Sequence, residues 1–252
     1  MRILPWFLSI LLCGCATVYN PATQRKEVIL IDDKTEVSLG KNVAQQLASE
    51  QPLSHDPDLR ERVERIGKKI AAVSDRQEIP YEFSALKDKE LNALSLPGGF
   101  VYVNSGLAEK LDDDELAFVL GHETGHVAAK HAVKKIQSNM AFSLILSAAL
   151  AASGSADSSA AGSLANASGQ IYNLVSLGYS RQDEYLADKL GVKYAYKAGY
   201  NPYAGISALE KIKQDEGKGP KVLEYLRSHP YVDDRIKMLK QEIPAVISGS
   251  SA

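Results

Sequence analysis

Two histidines near the middle of the chain are spaced so that they could bind one metal ion. His122 and His126 are four residues apart, and residues at this separation lie on one face of an α-helix. In this H-E-x-x-H pattern both imidazoles can point at the same ion, while Glu123 contacts a water molecule beside it. Zinc binds nitrogen and oxygen ligands, and a catalytic zinc keeps one position open for water. The spacing predicts one Zn2+ ion bound by His122 and His126.

The residues before the motif favour a buried helix. Four acidic residues occupy positions 112–115, and acidic residues stabilise the first turn of a helix. Leu116, Val119 and Leu120 then form an apolar face that leads into His122. A chance pair of histidines would usually lie on a solvent-exposed surface, whereas polar groups beside a buried face are costly unless they are paired. This context favours a metal site.

A third protein ligand is needed to complete a catalytic zinc site, and it is commonly His or Glu. The chain has five histidines, but the glycine and histidine of the extended metzincin spacing are missing. A downstream glutamate is therefore favoured. Glu184 is followed four residues later by Asp188, which could accept a hydrogen bond from a ligand imidazole; a solvent-exposed helix face is the alternative. His131 is expected to point away from the site and to be structural or on the surface.

The composition is that of an ordinary soluble globular protein. The 252 residues are 45% hydrophobic and 24% charged, which suits one large domain or two small ones with a sizeable core. The formal net charge is −2. Because no basic patch is present, nothing in the sequence indicates a nucleic-acid partner.

The N-terminus has the features of a targeting segment. A basic start is followed by the apolar run Ile3 to Leu12, which is too short to cross a bilayer alone. The next residues resemble a bacterial lipobox, so 1–14 is predicted to be a lipoprotein signal peptide and Cys15 the lipidated residue. Ala16 after this cysteine resembles lipoproteins of the outer membrane. An uncleaved apolar anchor is the alternative, and it also predicts membrane attachment.

Beyond this segment the chain divides into a short arm and one domain. Residues 15–32 are predicted to form a tether and extended arm, 33–244 a single domain, and 245–252 a frayed tail. Asp33 and Glu36 predict a capped helix that runs to about Glu50. The Ala, Ser and Gly content of 141–170 predicts a mobile flap. A second amphipathic helix is indicated from Asp58, with apolar residues at helical spacing: Leu59, Val63, Ile66, Ile70 and Val73.

Two strands are predicted before the motif. Tyr81–Leu86 is the first, and the second extends to Val103 after a loop at Asn92 to Leu96. Gly98 and Gly99 precede the second strand. The two glycines favour either a plain turn or a close approach of a peptide substrate to an edge strand.

Three motifs in order resemble those of the HtpX and CaaX-prenyl-protease class of gluzincin metallopeptidases. The chain is most similar to the soluble, signal-bearing members of the BepA and LoiP type, and the likeness extends from about Asp33 to Glu242. It implies an α+β, mostly helical, zincin-like metallopeptidase domain with a small sheet whose edge strand flanks the active-site helix. The motifs are His122-Glu-Thr-Gly-His126, Ser180-Arg-x-x-Glu184-x-x-Ala187-Asp188, and Ser228-His229-Pro230 followed by Arg235.

The resemblance also implies a role for each matched position. Glu184 would complete the zinc site, and Glu123 would be the general base. His229 would stabilise the oxyanion or would occupy the water position as a latency switch. Asp188 and Arg235 would support the ligands, and Arg235 or Tyr185 could replace His229 as the oxyanion donor. The strand from Gly99 through Phe100 and Val101 to Val103 would bind the substrate.

These features predict a zinc metalloendopeptidase of the bacterial cell envelope that cleaves unfolded or misassembled proteins. Its partners would be protein or peptide substrates and, through the lipid on Cys15, the outer membrane on its periplasmic side. The alternative is a chaperone-like factor for outer-membrane protein assembly with low or latent protease activity. A purely structural zinc is disfavoured, since closed structural sites are usually rich in cysteine.

Overall fold

A computed structural model of the chain describes residues 17–140, 167–214 and 223–249. Most of these residues are helical and the remainder includes two small sheets, which confirms the predicted mostly helical α+β class. The predicted signal peptide and Cys15 lie outside the described residues, as does 141–166 of the predicted flap. Residues 167–170 of that flap begin an ordinary helix instead.

The elements follow one another along the chain with short connections. The helices are α1 (Asp33–Glu50), α2 (Pro57–Ala71), α3 (Ser105–Lys110), α4 (Asp113–Ala128), α5 (131–140), α6 (Ala167–Ser176), α7 (Arg181–Lys197), α8 (Ala204–Lys213), α9 (Leu223–Ser228) and α10 (Val232–Ser248). The strands are β1 (Thr17–Asn20), β2 (Arg25–Val28), β3 (Glu82–Leu86), β4 (Ala93–Ser95) and β5 (Phe100–Asn104). In the described part of the chain, no helix is long and apolar enough to cross a membrane.

Helix α4 carries the H-E-x-x-H motif through the centre of the protein. Every residue from Glu115 to Ala128 is buried, so α4 is surrounded by protein. It packs against α7 at two glycines: a β-carbon on Gly121 would lie 2.9 Å from the carbonyl oxygen of Gly191, and one on Gly191 would lie 3.0 Å from the backbone nitrogen of His122. The absence of side chains here lets the two helix backbones approach closely. The close approach brings the two predicted ligand segments together.

The three-stranded sheet has the order β3-β5-β4, with β3 parallel and β4 antiparallel to β5. The predicted substrate strand is therefore wrong: β5 is central, and both of its edges are occupied by backbone pairing. Gly99, Phe100 and Val101 are buried. Gly98 and Gly99 have positive φ angles and form the turn that the alternative interpretation predicted. The free edge strand on the motif side is β4, in the segment that was predicted to be a loop.

Helix α1 begins where it was predicted, but its cap and its acidic residue differ from the prediction. Asp32, not Asp33, caps the helix by accepting a hydrogen bond from the backbone nitrogen of Thr35. Glu36 is 1% exposed and pairs with Arg76 and Lys130 at 3.0 and 2.8 Å. A capping glutamate would lie at the surface, whereas this one is drawn inside because two buried cations require a counter-ion.

The two ends of the described chain are more ordered than predicted. Strands β1 and β2 form a hairpin in place of a tether, and Asn20 donates a hydrogen bond to the carbonyl oxygen of Ala128 at 3.2 Å. Helix α10 continues past Pro244 to Ser248, so the frayed tail does not begin at 245. Ile243 is fully buried, and burial of such residues on the inner face stabilises the last turns of α10.

Candidate metal centre

Four buried side chains on three segments converge in front of α4. One donor atom from each of His122, His126, Glu184 and His229 lies within 4.8 Å of the others. Nε2 of His122 is 3.0 Å from Nε2 of His126 and 3.2 Å from Nδ1 of His229. Nδ1 of His229 is 3.3 Å from Oε1 of Glu184. The residues that the sequence singled out for metal binding therefore meet at one point.

Local sequence determines where the two ligand helices start. Asp112 and Glu115 form a capping box at the start of α4, and Ser180 and Asp183 form another at the start of α7. In each box, two of the helix's unpaired backbone donors are satisfied reciprocally, which defines the first turn. Glu184 lies immediately after the second box, so the start of α7 determines its place relative to α4.

The donor set fits a metal ion. Oε2 of Glu184 is buried and accepts no aligned hydrogen bond from any described residue, although Nη1 of Arg235 is 3.0 Å away. Buried polar atoms are normally paired, and here the orphaned oxygen belongs to a carboxylate whose other oxygen faces the imidazole nitrogens. Two histidines and one glutamate form a donor set that catalytic zinc uses. A divalent cation at this point would satisfy all of these lone pairs.

His122 is supported by a buried ion pair. Its Nδ1 lies 2.9 Å from Oδ1 of Asp188, and both carboxylate oxygens of Asp188 accept hydrogen bonds from Arg235, at 2.7 and 2.8 Å. All three side chains are fully buried. A hydrogen bond from Nδ1 to a carboxylate fixes the imidazole with Nε2 free to bind a metal. Asp188 thus contacts the motif histidine that comes first in the chain.

Electrostatics keep this pair ionised. Burial would raise the pKa of Asp188, but the charge and hydrogen bonds of Arg235 hold that pKa below its ordinary value. Burial would likewise raise the pKa of Glu184, and the charges of His229 and Arg235 hold it well below its ordinary value. Burial, followed by the charge of Arg235, lowers the pKa of His122 to about 4. The site therefore contains neutral His122 beside two carboxylates, which suits a cation.

His126 is supported by aromatic rings, one of which contradicts its predicted position. Nδ1 of His126 lies 2.8 Å from Nδ1 of His131, which is 4% exposed. The prediction that His131 points away assumed a continuous helix, but α4 ends at Ala128 and Lys130 has a φ of 56°. That turn redirects the chain and brings His131 back beside the motif. Tyr179, which the sequence did not indicate, stacks on His126 with ring centroids 4.1 Å apart.

Glu123 lies next to the four donors without being among them. Oγ of Ser95, on β4, donates a hydrogen bond to its Oε2 at 2.9 Å. Oε1 accepts no aligned hydrogen bond within the described ranges and lies 3.3 Å from Nε2 of His229. A cavity of about 10 Å³ opens here, which is about the space that one water molecule needs. Its lining residues are Asn92, Leu94, Ser95, Glu123, Val175, Ser176, Tyr179, Ser228 and His229.

His229 is held from two directions in the short link between α9 and α10. Its backbone nitrogen donates to the carbonyl oxygen of Tyr225 at 2.7 Å, and its own carbonyl oxygen accepts from Arg235 at 3.2 Å. Burial would lower the pKa of His229, but the charges of Glu184 and Glu123 raise it above its ordinary value. Arg235 therefore connects His229, Glu184 and Asp188.

The remaining predicted residues lie away from the cavity. Neither Tyr185 nor the segment Gly99 to Val101 is among the lining residues, and Arg235 is committed to Asp188 and Glu184. Sequence reasoning missed Ser95 and Tyr179. Tyr179 directly precedes the Ser180 cap, so its position at the start of a ligand helix was the one available signal.

Comparison with known proteins places the chain among metallopeptidases. It is 30% identical over 188 residues to the mitochondrial metalloendopeptidase OMA1 of Schizosaccharomyces pombe, which covers 72% of this chain and 52% of the relative. It is 26% identical over 205 residues to the beta-barrel assembly-enhancing protease of Yersinia pestis, with 80% and 42% covered. It is 25% identical over 167 residues to the metalloprotease LoiP of Escherichia coli (strain K12), with 66% and 64% covered. The chain spans about half the length of the first of these relatives.

The family comparison covers the whole site. Residues 57–243 match Peptidase family M48. This range includes α4, α7 and His229, and hence all four donors that the structure brings together. The chain therefore belongs to Peptidase family M48, a family of metallopeptidases.

Proposed function

We propose that this protein is a zinc-dependent metalloendopeptidase that cleaves unfolded or misassembled proteins of the bacterial cell envelope. The observation that carries the proposal is the convergence of His122, His126 and Glu184, with Glu123 beside them at a water-sized cavity. Two imidazoles and a carboxylate leave room in a tetrahedral zinc site for one further ligand. Membership of a metallopeptidase family supports the same reading.

Zinc at this site would act as a Lewis acid, polarising a peptide carbonyl and lowering the pKa of a water molecule to about 7. Glu123 is the proton carrier in the proposal. Its Oε1 has no aligned hydrogen bond with the described residues and borders the cavity, so it is free to take a proton from the attacking water. Ser95 holds the other carboxylate oxygen and keeps Oε1 directed at the cavity. Glu123 would then deliver the proton to the leaving amide nitrogen.

Two side chains could stabilise the negative charge on the carbonyl oxygen. His229 borders the cavity, but Nδ1 of this residue lies within 3.3 Å of His122 and Glu184. That position favours the latency role, in which His229 occupies a coordination position until it moves. The hydroxyl of Tyr179 also lies at the cavity, is buried and has no hydrogen-bond partner among the described residues. Tyr179 is therefore the donor available while His229 stays with the ligands.

The substrate class and location rest on the relatives and on the N-terminal sequence. Two bacterial relatives are a beta-barrel assembly-enhancing protease and the metalloprotease LoiP. Together with the lipobox-like sequence before Cys15, they support an envelope protein held to the outer membrane by an N-terminal lipid. An extended substrate would pair with the free edge of β4, whose Ser95 contacts Glu123. Backbone pairing of this kind accepts many sequences, which suits unfolded proteins.

Zinc content and casein cleavage of the purified chain test the proposal. We expect one zinc per chain and cleavage that falls by about 10²- to 10⁴-fold in Glu123→Gln, because that variant cannot carry the proton. Glu109→Gln is the matched control, since Glu109 is half exposed and pairs with Lys89 at the surface. Zinc-loaded wild-type protein that cleaves no unfolded substrate would contradict the peptidase function, and a chain that binds no zinc would contradict the ligand set.

The two roles of His229 give opposite results. His229→Ala is expected to raise cleavage if the imidazole blocks a coordination position, and to lower kcat if it stabilises the oxyanion. Tyr179→Phe is expected to lower kcat with little change in KM, because it removes a donor that acts on the transition state. His55→Ala serves as the control, since His55 is exposed in the link before α2.

The size of the cavity favours a second candidate function, a chaperone-like assembly factor with latent protease activity. A cavity of about 10 Å³ among the described residues admits a water molecule but not a peptide. Cleavage therefore requires a rearrangement, and binding without cleavage would be the resting activity. If an assembly phenotype persists in Glu123→Gln, binding is the main function. If that variant behaves as a deletion, catalysis is required.

A further inference from the structure

A histidine outside the candidate ligand set is in direct contact with one of the ligands. The Nδ1 atoms of His131 and His126 are 2.8 Å apart, and their rings are inclined at 71°. At this distance one nitrogen must carry a hydrogen and the other must accept it. The contact therefore specifies a tautomer for both rings.

The far side of His126 decides which nitrogen is the donor. Its Nε2 faces Nε2 of His122, 3.0 Å away, and Oε1 of Glu184, 3.5 Å away. A neutral imidazole that offers Nε2 to a metal carries its hydrogen on Nδ1. Nδ1 of His126 is then the donor, and Nδ1 of His131 is the acceptor. Because His131 is buried and neutral rings are cheaper to bury than charged ones, its own hydrogen lies on Nε2.

The start of α7 provides a partner for that hydrogen. Nε2 of His131 has no aligned hydrogen bond in the described part of the chain, and Oδ1 of Asp183 is 3.4 Å from it. Oδ2 of Asp183 already accepts from the backbone nitrogen and Oγ of Ser180, at 3.2 and 2.7 Å. One oxygen caps the helix, and the other is left to face His131. The helix cap therefore also orients the outer end of the histidine pair.

Long-range ion pairs hold the turn that returns His131 to the site. Lys130 adopts a left-handed conformation, with a φ of 56°, which is costly for a residue with a side chain. Its ammonium group donates hydrogen bonds to Asp33 at 2.6 Å and to Glu36 at 2.8 Å, both on α1. Glu36 is buried and also binds Arg76. These contacts stabilise the strained residue and so determine where His131 lies.

We propose that His131 is a positioning residue for the metal site: it accepts a hydrogen bond from Nδ1 of His126 and fixes the tautomer that presents Nε2 to the metal, with Asp183 behind it. The role rests on the proposed metal site but not on peptide cleavage. His131 does for His126 with a neutral ring what Asp188 does for His122 with a carboxylate. The loss of such an outer partner typically costs 10- to 100-fold in metal affinity.

Zinc affinity, measured by competition with a chelator on the full chain, tests the role of His131. His131→Leu removes the acceptor, and we expect zinc binding to weaken by about 10- to 100-fold. His131→Asn places an amide oxygen near the position of Nδ1, and we expect it to retain wild-type affinity. His55→Leu is the control for the loss of a histidine that is exposed and remote. Equal zinc affinity in His131→Leu and His55→Leu, or no rescue by His131→Asn, would overturn the proposal.

A spectroscopic measurement on the wild-type protein needs no variant to fold. Two-bond ¹⁵N–¹H spectra of the zinc-loaded, ¹⁵N-histidine-labelled chain report which ring nitrogen carries each hydrogen. We expect the hydrogen on Nδ1 of His126 and on Nε2 of His131. A hydrogen on Nδ1 of His131 would contradict the proposed direction of the hydrogen bond. Absence of zinc binding in the wild type would instead contradict the proposed function, so the two failures are distinguishable.

Discussion

The two histidines of the motif lie on one face of the same helix, but the protein supports them by different chemistry. His122 contacts Asp188, a buried carboxylate that is neutralised by Arg235. His126 contacts His131, a neutral ring, and is covered by the ring of Tyr179. The charged support is shared with Glu184 and His229 through Arg235, whereas the neutral support is local to the start of α7 and the turn after α4.

The comparison shows how a buried site can orient two ligands and limit its own charge. A second carboxylate behind His126 would need a second buried cation, because an unpaired buried charge is strongly destabilising. A neutral acceptor fixes the same tautomer without that requirement. The charged side should therefore matter most for folding, and both sides should matter for metal affinity.

The largest expected effect is on the charged side. Arg235→Met leaves Asp188 and Glu184 buried without their cation, and we expect a loss of about 3 to 5 kcal/mol in the free energy of unfolding. Urea denaturation with a chelator present measures it. Arg65→Met is the matched control: Arg65 is half exposed and pairs with Asp113, so it should cost less than about 1 kcal/mol. Equal costs would show that the buried network is not the structural centre of the site.

Metal removal comes next. At free zinc of 100 times the dissociation constant, the bound ion stabilises the folded state by about 2.7 kcal/mol. A chelator should therefore lower the thermal midpoint of the wild-type chain. It should not affect His126→Ala, which lacks a ligand. A chelator effect of the same size in both proteins would place the metal elsewhere.

Loss of the carboxylate behind His122 should weaken zinc binding. Asp188→Asn is expected to lower zinc affinity by about 10- to 100-fold, and by more than His131→Leu, because the carboxylate also contributes negative charge to the site. Chelator competition measures both variants. Asp234→Asn is the control, since Asp234 forms a half-exposed pair with Arg181. A larger loss in His131→Leu would reverse the comparison between the two supports.

The smallest effect is expected at the ring that covers His126. Tyr179→Phe keeps the stacked ring and should leave zinc affinity and the free energy of unfolding close to wild type. Tyr179→Leu removes the stack, and aromatic pairs contribute about 0.5 to 1.5 kcal/mol. Thermal unfolding of both variants measures the difference. If Tyr179→Phe were as destabilised as Tyr179→Leu, the hydroxyl rather than the stack would support the site.

Much of the fold and of the candidate site could be predicted from the sequence. Helices α1, α2, α4 and α7 lie where periodicity and caps indicated, because those signals are local. The order of strands was not accessible: β5 is central because β4 returns to pair with it, and pairing between separate segments leaves no local mark. The ends were underestimated because burial of Ile243 and the contact of Asn20 with α4 are tertiary.

The sequence by itself determined the motif pair, its general base and the downstream glutamate, since the helical repeat and the resemblance to a metallopeptidase family both act on identified positions. Only the tertiary structure decided what lies behind each ligand. Lys130 is left-handed because Asp33 and Glu36, almost a hundred residues earlier, bind its ammonium group. That distant ion pair turns His131 toward His126, and the residues around Lys130 carry no trace of it.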